Sequence, residues 1–127
     1  MERRIGDVIV ADEGIGAPVL VVHGGLSDEA PWAKVAAALG DRYRVLRIRR
    51  RLYRLELESD PATNLAAEVA DVAAVAAFLG RPCVLVGHSS GAVVALEALV
   101  AYPDRFAGAV LYEPPLVVNE PLGGGVP

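Results

Sequence analysis

Cysteine is nearly absent from this sequence of 127 residues, and Cys83 stands alone. A single thiol excludes an internal disulfide and offers no cysteine cluster for a metal. Methionine and tryptophan occur once each, histidine twice, and aromatic residues make up 6% of the chain. Long apolar runs are missing as well. A membrane helix needs roughly 18 or more such residues in a row, and Glu68 and Asp71 interrupt the richest stretch. The opening residues MERRIGDVIVADEG carry charges but no apolar core of signal-peptide length. Positive charge is also in deficit, 12 Lys and Arg facing 16 Asp and Glu for a net charge of −4. Non-specific binding to nucleic acid or to a membrane surface draws on an excess of Lys and Arg, so the balance argues against both partners. The expectation is a soluble protein of the reducing cytoplasm.

What the chain does have is apolar surface: 54% of its residues are hydrophobic, enough for one core in a length typical of a single domain. The apolar residues fall into alternating short runs and helical stretches. Residues 5–11 read as a short strand, followed by a turn at Asp12-Glu13-Gly14-Ile15-Gly16. Val19-Leu20-Val21-Val22 is a continuous run, as a strand buried on both faces requires. Residues 31–39 read as a helix with Pro31 in its first turn and Gly40 as its stop, and Trp32 is expected to pack it against the sheet. Residues 43–48 form a third strand, with Val45 on one face and Leu46 and Ile48 on the other.

Asp60-Pro61 is an N-cap and first-turn pair for a helix that runs to Leu79, with Gly80 at its C′ position. Asn64, Glu68 and Asp71 fall at spacings of four and three, a stripe expected to face water. Leu65, Val69, Val72, Val75, Phe78 and Leu79 are expected to bury much of the rest. A strand over residues 82–86, a helix over 92–101 and a strand over 106–112 follow, then Glu113-Pro114-Pro115 and an aperiodic tail. Strands alternating with helices through short loops imply βαβ units: an α/β three-layer sandwich with a mostly parallel sheet.

Chemistry concentrates at Gly87-His88-Ser89-Ser90-Gly91, a G-x-S-x-G sequence between the strand PCVLV and the helix AVVALEALVA. Small residues two positions either side of Ser89 let the chain fold back sharply, which exposes the hydroxyl at the carboxyl edge of the sheet. The same turn aims the Ser90 N–H at a developing oxyanion and sets the site at a helix N-terminus, where negative charge is favoured. His23-Gly24-Gly25-Leu26 follows the strand VLVV directly. A small-residue loop there can turn the Gly25 N–H inward as a second oxyanion donor, with Leu26 the less favoured choice.

With these pieces the sequence resembles the α/β-hydrolase superfamily. HGG after a strand, GHSSG between strand and helix, and Tyr102-Pro103-Asp104-Arg105-Phe106 before AGAVLYEPP occur in the family's order and spacing. The resemblance runs from the first strand to about the sixth of an eight-stranded fold, so residues 1–127 look like the N-terminal portion of one such domain, apparently truncated. It implies that Ser89 is the nucleophile, that the N–H groups of Gly25 and Ser90 form the oxyanion hole, and that the substrate is an ester, thioester or similar small acyl compound. No metal or organic cofactor is implied. Two departures stand out. Arg49-Arg50-Arg51-Leu52-Tyr53-Arg54 replaces the Asp-x-Arg-Gly-x-Gly-x-Ser loop of many relatives, and the triad acid and base histidine, which the family carries further on, are missing from this chain.

His88 adjoins the nucleophile and is expected to point away from it on a tight turn, while His23 reads as a structural imidazole. Glu113, at the end of the last strand, reads as a loop carboxylate. The seven arginines between Arg42 and Arg54 are followed by Glu56, Glu58 and Asp60 and read as a solvated, partly self-neutralised edge. Cys83 reads as a core residue, and Gly14-Ile15-Gly16 lacks the third glycine of a dinucleotide fingerprint. The competing reading is a catalytically inactive remnant of the fold that acts through association, because its last strand is expected to leave an open sheet edge.

Overall fold

The computed structural model describes residues 1–25, 29–51 and 61–115, with only the backbone described for residues 61–64. Strands β1 (Glu2–Ile5), β2 (Val8–Gly14), β3 (Ala17–Val22), β4 (Tyr43–Arg49), β5 (Cys83–His88) and β6 (Phe106–Tyr112) form one sheet. Its order is β1-β2-β4-β3-β5-β6. Helices α1 (Ala33–Leu39), α2 (Pro61–Leu79) and α3 (Ser90–Ala101) cover it, with short 3₁₀ turns at Ala30–Trp32 and Pro103–Arg105. The β3–β4, β3–β5 and β5–β6 pairings are parallel, and β1–β2 and β2–β4 are antiparallel. The sheet is thus mixed and mostly parallel, with the expected α/β architecture.

Side-chain alternation along β3 and β4 separates two cores. Leu20, Val22, Leu46 and Ile48 face α2 and α3, where they meet Val72, Val75, Val94 and Ala98. Val19, Val21 and Val45 face the other way and meet Ala36 of α1, with Trp32 and Leu39 packed against them. Burial on both faces explains why residues 19–22 are apolar without interruption. It also fixes register, because a slip of one residue would exchange the two cores.

Several expectations are corrected. Residues 5–11 are not one strand: Gly6 takes φ +60° at a turn that splits them into the β1–β2 hairpin. The β2 strand then continues through Asp12 and Glu13, where a turn was expected, because both carboxylates find arginines. Arg44 donates to both oxygens of Asp12 at 2.9 and 2.6 Å, Arg3 adds a bond at 2.9 Å, and Arg47 donates to Glu13 at 2.6 Å.

In the polar stripe of α2, Glu68 and Asp71 do not face water, and the Asn64 side chain lies outside what is described. Glu68 is 4% exposed and Asp71 8%, and each receives a two-pronged arginine, Arg50 at 2.8 and 2.9 Å and Arg51 at 2.8 Å on both oxygens. Correspondingly, Arg47 and Arg50 of the arginine run are buried, not solvated, while Arg42 is exposed, and Arg54, Glu56 and Glu58 lie outside the described residues. Leu65 and Phe78, expected inside, are instead exposed. Phe78 lies beneath the guanidinium groups of Arg3 and Arg44, at 5.3 and 5.9 Å from its ring centre. The Asp60 N-cap lies outside the described residues.

Candidate active site

The site forms where β3 and β5, the two central parallel strands, end side by side. Their register brings Val22 opposite Gly87, so the loop after β3 and the turn after β5 emerge together at the carboxyl edge.

Ser89 occupies the single residue between β5 and α3. Its backbone sits at φ 53° and ψ −124°, a region that L side chains rarely adopt. Close packing enforces this turn. A Cβ added to Gly87 would lie 2.7 Å from the Ala92 Cα and 2.9 Å from the Ala95 Cβ, and one added to Gly91 would collide with the carbonyl oxygens of Val22 and His23. The first turn of α3 therefore rests directly on the backbone of the β3 terminus. The Ser89 N–H donates to the Tyr112 carbonyl at 2.8 Å, which ties the turn to the end of β6. Its hydroxyl does not cap the helix.

Ser90 begins α3, and its hydroxyl accepts a bond from Arg50 Nη1 at 2.7 Å. The same nitrogen donates to the His23 carbonyl at 3.0 Å. His23 is 1% exposed. Its Nε2 accepts the Arg50 backbone N–H at 3.1 Å, which places the ring proton on Nδ1, 2.8 Å from the Gly24 carbonyl that accepts it. Both ring nitrogens of His23 are thus engaged in holding backbone. Gly25 follows as an exposed residue of the loop.

His88 packs its ring between Trp32 and Tyr112, with centroids 6.3 and 5.3 Å apart. These three rings, with Gly24, Gly25, Pro31 and Val35, line a cavity of about 380 Å³. Its described lining residues are largely apolar and include no lysine, arginine or carboxylate. Ser89 directly follows the lining residue His88 in sequence but is not itself among the lining residues. Glu113, immediately past β6, is exposed and has φ 51°. Cys83 is buried at the opposite end of β5, where desolvation pushes its thiol up to about 11. Among the described residues no group of three or more His, Cys, Asp or Glu side chains is arranged to hold a metal. Among them, too, no helix is long and apolar enough to cross a membrane.

Arg50 and Glu68 are the site-supporting residues that sequence reasoning missed. The available signal was Glu68 and Asp71 at helical spacing in an apolar helix, matching two adjacent arginines at the end of β4.

Comparison with known proteins agrees with this fold. A profile described as the alpha/beta hydrolase family matches residues 19–127. The chain is 30% identical over 116 residues to the uncharacterized hydrolase YraK of Bacillus subtilis (strain 168), covering 82% of this chain and 40% of that protein. It superposes on an alpha/beta hydrolase from Sphaerobacter thermophilus DSM 20745 with a TM-score of 0.75 at 29% identity, covering 94% of this chain and 47% of that one. It is also similar to the epoxide hydrolase VrEH1 from Vigna radiata, with a TM-score of 0.80 at 24% identity, covering 97% and 42% of the two chains. At that identity the last likeness speaks for the fold alone. The chain spans less than half the length of each of these relatives.

Proposed function

This chain belongs to the alpha/beta hydrolase family, and from that premise we propose that it carries the nucleophile and oxyanion hole of a serine-dependent hydrolase acting on an ester, thioester or similar acyl compound. The observation that carries this reading is the backbone of Ser89, a non-glycine residue at φ 53° on a tight strand-to-helix turn at the carboxyl edge of the sheet. Such strain persists only where the surroundings over-determine it, and it clusters at functional sites.

In the proposed reaction the Ser89 Oγ attacks the acyl carbon while its proton passes to a base. The carbonyl oxygen becomes an oxyanion that accepts bonds from the N–H groups of Ser90 and Gly25, and collapse expels the alcohol or thiol. Water then repeats the sequence on the acyl-serine. The apolar cavity beside Gly25 suits an uncharged acyl or leaving group. His23, with both nitrogens engaged, is not the base, and we assign the base and its orienting acid to sequence outside the described residues. No cofactor is needed for this chemistry.

The test is hydrolysis of an activated ester together with fluorophosphonate labelling. The 127-residue chain alone is expected to turn over barely above background and to label slowly at Ser89. Joined to a C-terminal segment that supplies an acid and a histidine, it is expected to turn over, and Ser89→Ala to abolish turnover. Labelling that survives Ser89→Ala, or robust hydrolysis by the chain alone that is lost on mutating His88, would overturn the proposal.

A second reading, an inactive relative acting through association, draws on β6. Val110 is 57% exposed and Tyr112 58%, on a strand whose only partner among the described residues is β5. An open edge of this kind is a template for another strand. Light scattering that shows concentration-dependent assembly in a chain without any Ser89 labelling would favour this reading.

A further inference from the structure

Resting on the proposed role of Ser89, we infer that Arg50 is a positioning residue that sets both donors of the oxyanion hole from one buried point. Its guanidinium is gripped by both oxygens of Glu68 at 2.8 and 2.9 Å, and the pair is 3% and 5% exposed. The remaining nitrogen, Nη1, forks to the Ser90 hydroxyl at 2.7 Å and the His23 carbonyl at 3.0 Å. One planar group therefore bridges the first residue of α3 to the loop that leaves β3.

The backbone of the same residue completes the arrangement. The Arg50 N–H holds His23 Nε2, and His23 Nδ1 in turn holds the Gly24 carbonyl. That carbonyl and the Gly25 N–H belong to one planar trans peptide and point in opposite directions. Anchoring the Gly24 oxygen on the buried ring thus turns the Gly25 N–H the other way, out of the core. Glu68, Arg50 and His23 form a continuous scaffold from α2 through the end of β4 to both donors. A fixed donor geometry stabilises an oxyanion without reorganisation, and a small misplacement is costly to rate.

Neither Arg50 nor Glu68 touches reacting atoms, so the effect belongs on the chemical step and not on binding. The test is fluorophosphonate labelling of Ser89 in the full chain, resolving the maximal labelling rate from the probe's binding constant. Ser90→Ala removes the hydroxyl that Arg50 grips while leaving the Ser90 N–H in place. The maximal rate is expected to fall about tenfold with the binding constant unchanged, and Ser90→Thr, which keeps the hydroxyl, to restore it. Arg50→Lys keeps the charge but loses the fork, and is expected to slow labelling at least as much. A Ser90→Ala chain that labels at the parent rate, a change confined to the binding constant, or failure of Ser90→Thr to restore the rate would overturn the assignment. A parent chain that does not label at Ser89 would instead overturn the nucleophile itself, and the positioning role with it.

Discussion

Gly91 lies so close under His23 that the glycine has no room for a side chain: a Cβ there would collide with the His23 carbonyl oxygen. The contact joins the helix behind the candidate nucleophile to the loop that carries the candidate oxyanion donor. Gly91→Ala is therefore expected to push α3 off the end of β3 and to destabilise the protein by about 3 kcal/mol or more, in the range of overpacked cores. Urea denaturation followed by circular dichroism checks this. A variant of parent stability would mean that the two elements are not in contact.

Ser89 is the counterpart case, where strain comes from φ. Holding a non-glycine residue in such a region costs on the order of 1–3 kcal/mol, whereas glycine adopts it freely but loses more freedom on folding. Ser89→Gly is expected to be more stable than Ser89→Ala by about 1 kcal/mol, with both variants unlabelled by a fluorophosphonate. Equal denaturation midpoints for the two variants would show that the turn is relaxed.

Acid stability should depend on Asp12. The hydrogen bond from Arg44 is the strongest influence on this carboxyl; burial opposes it, Arg3 reinforces it, and the net result lies below the ordinary value of 3.8. A group whose pKa is lower in the folded state contributes stability that is whole above its unfolded value and fades as pH falls through the folded one. The stability gap between the parent and Asp12→Asn is therefore expected to be widest near neutrality and to shrink below pH 3.8. Urea midpoints measured from neutral to acid pH would show it, and a gap that stays constant would refute it.

Cys83 should be inert while the chain is folded. With its thiol pushed up from 9.0 to about 11 by burial, the thiolate at neutral pH is scarcer by about 100-fold. A chromogenic disulfide reagent is expected to react only as the protein unfolds, with the reaction tracking the circular dichroism signal in urea. Fast modification of the native protein would contradict the burial.

How much of this was legible in the sequence varied with how local the cause is. The run at residues 19–22 and the Gly87 to Gly91 turn declare themselves because their constraints lie within a few positions: burial on both faces, and a chain that must fold back. The β1–β2 hairpin was hidden because its turn, at Gly6 and Asp7, is too short to interrupt an apolar run convincingly. Glu68 and Asp71 misled for a different reason. Polar residues at helical spacing look the same whether they face water or buried arginines, and their partners, Arg50 and Arg51, lie 18 and 20 positions away. Two acids at helical spacing and two adjacent arginines are a faint signal, and without knowing that Arg50 and Arg51 reach α2 it does not pair them. The scaffold behind the candidate site was invisible for the same reason.

The bond from the Ser89 amide to the Tyr112 carbonyl couples the strained turn at Ser89 to β6, an edge strand of the described sheet. Deuterium exchange at that amide is consequently gated by fraying of β6, since the proton is released only when the strand lifts away. Anything that docks along β6 damps the fraying and lengthens the lifetime of the turn. Slower exchange at the Ser89 amide is therefore the expected signature of a strand paired along the outer edge of β6.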